Sequence, residues 1–132
     1  MQACDISIIT TVDGEKSSFS CKGNMELSVC GAQLFYSEPN ANVKVVLDKE
    51  TAKVIRQGDY SLALPLQRGQ MTVGTLGIGG NEGEIQVYAY KIEYSIRENA
   101  VMAILHYDLL MGKGRQEMKL RIVARANDKE QV

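Results

Sequence analysis

His106-Tyr107-Asp108 is the place in the chain where an imidazole and a carboxylate stand two residues apart. On an extended strand, residues i and i+2 share a face about 6–7 Å apart. Such a pair could orient a general base or supply two metal ligands. A catalytic zinc takes about three protein ligands, and the sequence has no second His. A polar pair on the wetter face of a strand accounts for the same residues without chemistry. Cys4, Cys21 and Cys30 are odd in number and lack any Cys-x-x-Cys spacing, which fits reduced thiols in a cytoplasmic protein. No Gly-x-Ser-x-Gly elbow marks a serine nucleophile. We therefore assign no catalytic residue, no metal ligand and no cofactor.

Two further clusters carry possible binding chemistry. Gly74, Gly77, Gly79, Gly80 and Gly83 are dense enough to suggest a phosphate cradle. A phosphate loop opens into a helix N-terminus, whereas the residues that follow here, Glu84-Ile-Gln-Val-Tyr88, are strand-like. The cluster reads better as bulges and a loose hairpin tip. Arg115, Lys119, Arg121 and Arg125 share one parity near the C-terminus, and Tyr88, Tyr90 and Tyr94 share one parity earlier. Cations beside aromatic platforms suit single-stranded nucleic acid. Fifteen basic against sixteen acidic side chains give a net charge of −1, which argues against that partner. We expect the charges on a solvated outer face and the tyrosines inside.

These residues must be positioned by strands. From Phe19 to Val29 the odd positions are Phe, Cys, Gly, Met, Leu and Val, and the even ones are Ser, Lys, Asn, Glu and Ser. Tyr60, Leu62, Leu64 and Leu66 repeat the alternation, as do Met118, Leu120, Ile122, Ala124 and Ala126. Period two is the mark of a half-buried strand. Turn-forming pairs such as Asp13-Gly14, Pro39-Asn40 and Gly79-Gly80 separate the runs. Ala100 to Met111, the best helical candidate, alternates acceptably and is read as a strand. The start of the chain alternates too and has no signal-peptide pattern. No apolar run approaches the roughly 20 residues of a membrane-spanning helix, and no membrane partner is expected.

One stretch breaks the one-face rule. Ile85, Val87 and Ala89 are apolar on one parity, and Tyr88, Tyr90, Ile92, Tyr94 and Ile96 on the other. Such a strand is either covered on both sides, for instance by a second copy in a homodimer through Ile85, Val87 and Ala89, or it contains a bulge that swaps parity.

The succession Tyr36-Ser-Glu-Pro39, Val43-Lys-Val-Val-Leu-Asp48, Val54-Ile-Arg-Gln-Gly58 and Leu64-Pro-Leu-Gln-Arg-Gly-Gln70 resembles the YwiB-like family. The likeness runs from Ser17 to about Arg125. It implies a bacterial protein of unknown function with a fold similar to lipocalins and other calycins. It carries no catalytic residues over to this chain.

The expectation is a single all-β domain over residues 1–132, with 126–132 as a frayed tail. Its fold is an antiparallel up-and-down meander closed into a lipocalin-like barrel of eight to ten strands. Its expected role is to hold a small, partly apolar ligand, with Leu62, Leu64, Tyr88, Tyr90, Tyr94 and Leu120 inward and Arg56 or His106 as polar anchors near the mouth. The alternative is a structural module acting as a homodimer.

Overall fold

A computed structural model describes residues 1–127. Ten strands follow one another with no helix between them: β1 (Gln2–Val12), β2 (Glu15–Leu27), β3 (Gly31–Glu38), β4 (Ala41–Asp48), β5 (Thr51–Gly58), β6 (Tyr60–Gln67), β7 (Met71–Ile78), β8 (Asn81–Arg97), β9 (Ala100–Met111) and β10 (Gly114–Ala126). Each pairs antiparallel with the next, and β1 pairs with β10 to close the barrel. The fold is thus the expected meander, at the upper end of the expected strand number. Ala126 is not frayed, because it pairs with Cys4 and its amide donates to the Asn99 carbonyl. The remainder of the expected tail, 128–132, lies outside the described residues.

The turns explain the close spacing of the strands. Asp13 and Gly14 both have positive φ, 49° and 87°, as a two-residue type I′ hairpin requires. Gly79 and Gly80, at 58° and 84°, make a second such turn. The glycine-dense stretch therefore ends in a tight tip, where the sequence suggested a loose one. Its twist matches that of the flanking strands, so no extra residue is needed.

The alternating apolar positions meet inside. Ile6, Met25, Leu34, Val45, Leu64, Leu105 and Ile122 are all at most 1% exposed. Ile85, Val87 and Ala89 belong to this core, at 2%, 0% and 1% exposed, so they cannot present a dimer surface. The both-faced pattern comes from a bulge. Ala89 pairs with Tyr107 and Lys91 with His106, leaving Tyr90 out of the ladder. One extra residue flips every following side chain, which turns Ile92 inward at 5% exposed. Apolar residues of both parities thereby face the same interior.

No helix of the described chain is long and apolar enough to cross a membrane.

Candidate functional site

The open end of the barrel lies at the β1–β2, β3–β4, β5–β6 and β9–β10 turns. There the inward side chains leave a recess of about 350 Å³. Its walls are Ile8, Phe19, Val43, Val54, Leu62 and Leu120, with Thr10, Tyr36 and Gln116 among the polar groups. The recess exists because the strands are unequal. β2 pairs with β3 only over Gly23–Leu27, so Glu15–Lys22 rise with no partner on β3. Phe19, one of the inward residues of that rising segment, overhangs the space.

Arg56 stands at the rim because it continues the inward parity of Ala52 and Val54 on β5. Its side chain is 14% exposed. Nε donates to Glu38 Oε1 at 3.2 Å, and Nη1 donates to the Tyr60 carbonyl at 2.9 Å and reaches Asp59 Oδ1 at 2.8 Å. The guanidinium lies 3.8 Å from the Tyr60 ring centroid. Burial disfavours its charge, but the hydrogen bonds to Asp59 and Glu38 outweigh that and raise its pKa. The hydrogen bond from Arg56 in turn holds the Asp59 carboxyl below its ordinary range. Burial pushes the Tyr36 hydroxyl up, so it stays a neutral donor at the recess wall. Glu38, Asp59 and Tyr60 escaped sequence reasoning; the inward parity Tyr36-x-Glu38 next to Pro39 was the available sign for Glu38.

The other expected site residues are not at this mouth. Tyr94 faces inward at the opposite end, where its hydroxyl accepts from the Lys49 amide at 2.6 Å and donates to the Cys30 carbonyl at 3.1 Å. It ties the β8–β9 hairpin to the β2–β3 and β4–β5 turns. Tyr88, Tyr90 and His106 face out of the barrel, correcting the expectation of inward tyrosines and a histidine at the mouth. The cause is parity: β8 turns Val87 and Ala89 inward, which leaves Tyr88 and Tyr90 outside, and the bulge then turns Ile92 and Tyr94 inward.

The three outward rings do come together. Tyr90 lies 4.9 Å from Tyr88, edge to face, and 4.9 Å from His106, centroid to centroid. Tyr90 donates its hydroxyl to Asp108 Oδ2 at 2.5 Å, and that hydrogen bond, with some burial, raises the phenol's pKa. His106 Nε2 is 3.0 Å from Glu117 Oε2. Asp108 is 2% exposed, its Oδ1 has no partner, and Arg115 Nε stands 3.5 Å from Oδ2. His106 and Asp108 share a face as expected, but each is engaged by a different neighbour. Among the described residues no group of three or more His, Cys, Asp or Glu side chains could hold a metal ion.

No curated protein matches the sequence. The crystal structure of the YwiB protein from Bacillus subtilis is similar, with a TM-score of 0.84 at 16% identity, covering 96% of this chain and 92% of that one. At that identity the likeness concerns the fold. Residues 6–122 match the family described as a domain of unknown function, DUF1934. The match spans most of the chain, and the chain belongs to that family.

Proposed function

We propose that this member of the DUF1934 family is a binding barrel that holds one small, partly apolar molecule in the recess at its open end. The observation that carries the reading is the recess itself: about 350 Å³, walled by aliphatic and aromatic side chains, with one polar cluster at the rim. That volume falls at the small end of the roughly 300–1,000 Å³ common for ligand pockets. A small barrel either fills with side chains or keeps room for one ligand; here the lower barrel is packed and the upper end is not.

The rim chemistry narrows the ligand class. Arg56 is held by two carboxylates, Glu38 and Asp59, so the cluster carries a net negative charge. Among the described residues, an anionic head would meet no free cation there. A hydroxyl, amide or amine head suits Glu38, Thr10 and Gln116, while its tail lies against Leu62 and Leu120. The three cysteines form no disulfide, which supports a reducing, cytoplasmic location for this role.

The experiment uses the neutral fluorophore N-phenyl-1-naphthylamine. Saturable enhancement at one site per chain is expected, with displacement by decanol or decylamine and weaker displacement by decanoate. Leu62→Trp, which fills the recess, should abolish the signal while far-UV circular dichroism stays unchanged. No saturable binding, or binding unaffected by Leu62→Trp, would overturn the proposal.

A further inference from the structure

The outer face of the wall formed by β8, β9, β10, β1 and β2 is ordered in rows, because cross-strand partners share a face. One row runs Lys91, His106, Lys119, Thr11, Lys16 across all five strands. In a second row Arg121 stands between Ile104 and Ile9, and in a third Met102 pairs with Val123. A last row carries Arg97, Arg125 and Lys22. Glu93, Glu117 and Asp5 on this face are paired to Lys91, His106 and Lys22 respectively. Among the described residues, Lys16, Arg97, Lys119, Arg121 and Arg125 have no ion-pair partner. The net charge of −1 is therefore an average over two unlike surfaces. This wall is cationic, and the excess of carboxylates lies elsewhere.

At one border of the cationic wall sit the rings of Tyr88, Tyr90 and His106. Tyr90 is 47% exposed and occupies the bulge, a device that re-aims side chains at functional places. We propose that this wall binds single-stranded nucleic acid, with bases stacking at Tyr88 and Tyr90 and phosphates following the row from Lys91 through Lys119 to Lys16. Five strands at about 4.8 Å spacing make the row roughly 19 Å wide, enough for a few nucleotides of extended strand. Aromatic platforms beside a cationic track are the general means of sequence-tolerant single-strand binding. Glu93, Glu117 and Asp5 are already engaged and Asp108 is buried against Tyr90, while Glu82, Glu84 and Glu26 stand near the ends of β8 and β2, away from the row. A second copy is a poor occupant, because a symmetric contact would set these cations against their own copies.

The test is fluorescence anisotropy of the full chain with labelled twelve-nucleotide oligo-uridine and oligo-thymidine at 50 mM salt. A dissociation constant on the order of 10 µM is expected, within the range of non-specific binding. The double-logarithmic salt slope should be near −3, as about four or five phosphate contacts give at roughly 0.7 each on a single strand. Lys119→Glu with Arg121→Glu should weaken binding at least tenfold. Tyr90→Leu should weaken it at least fivefold without changing the salt slope, which a purely ionic contact would not do. Should Tyr90→Leu fail to fold, Tyr88→Leu gives the same readout with Asp108 still hydrogen-bonded. No binding at 50 mM salt, tighter binding of a duplex of equal length, or unchanged affinity in the tyrosine variant that folds would overturn the proposal. So would displacement of the oligonucleotide by a poly-glutamate peptide at equal charge, which would assign the wall to an acidic polypeptide.

Discussion

Cys4, Cys21 and Cys30 share a chemistry and differ only in what surrounds them. Cys4 is 2% exposed, and burial, helped by Asp5 and Cys21, raises its thiol from 9.0 to about 11. Burial and Glu38 raise Cys21 as well, while Cys30 is exposed in the β2–β3 connection. A thiol reagent should therefore modify Cys30 first and Cys4 only on unfolding, as peptide mass spectrometry after timed labelling will report. The raised pKa of Cys4 also has a stability consequence. The folded state holds the thiol proton more tightly, so the contribution is complete below pH 9 and is lost as pH rises through about 11. The unfolding temperature should fall across that window, and less steeply in Cys4→Ala. A second prediction concerns Asp108. Removing the Tyr90 hydroxyl, by Tyr90→Phe, leaves a buried carboxylate that already lacks a partner on Oδ1. The cost should be about 1–3 kcal/mol in urea unfolding. Residue types alone named His106 and Asp108 as neighbours on one face. They could not show that Tyr90 would close over Asp108, because that contact depends on a bulge.

Among the elements, β8 shows how far a pattern can be read. Its apolar residues on both parities left two possibilities open, a covering partner or a parity-swapping bulge. Periodicity counts residues along one strand, whereas a bulge is defined by the strand opposite, so the choice needed the β9 register. Deleting Tyr90 removes the extra residue and should leave an unbroken ladder, with Ala89 opposite Tyr107, Lys91 opposite His106, and Ile92 and Tyr94 still inward. We expect the deletion, like Tyr90→Ala, to retain a cooperative unfolding transition, lowered by loss of the Tyr90–Asp108 hydrogen bond; circular dichroism during heating checks this. The β2–β3 entry gives a sharper steric case. A Cβ on Gly31 would stand 1.8 Å from the Leu47 carbonyl oxygen on β4. Gly31→Ala should cost at least about 1–3 kcal/mol, because the obstacle is backbone and cannot rotate away. The alternating runs on β2, β6 and β10 were legible without the structure, since each has one wet and one dry face. The strand ends were not, for the recess arises where β2 outruns β3.

At the scale of the whole molecule, the barrel separates two surfaces that the sequence interleaves. Inward parity builds the core and the recess at the open end; outward parity builds the cationic wall. A ligand in the recess should raise the unfolding temperature with its concentration, by about 2.7 kcal/mol of stabilisation at a hundred times its dissociation constant. An oligonucleotide on the outer wall should do the same independently, so the two effects should add when measured together by calorimetry. The sequence by itself determined the strands, the meander and the identity of most core residues, because alternation, turn chemistry and strand length are local properties of the chain. It also named Arg56, with His106, as a polar anchor near a mouth, though not from its parity. Only the tertiary structure decided that Tyr88, Tyr90 and His106 lie outside, that Ile85, Val87 and Ala89 lie inside, and that Glu38 and Asp59 clasp Arg56. Those facts depend on register between strands and on where the sheet closes, and both are set by pairing partners far apart in sequence.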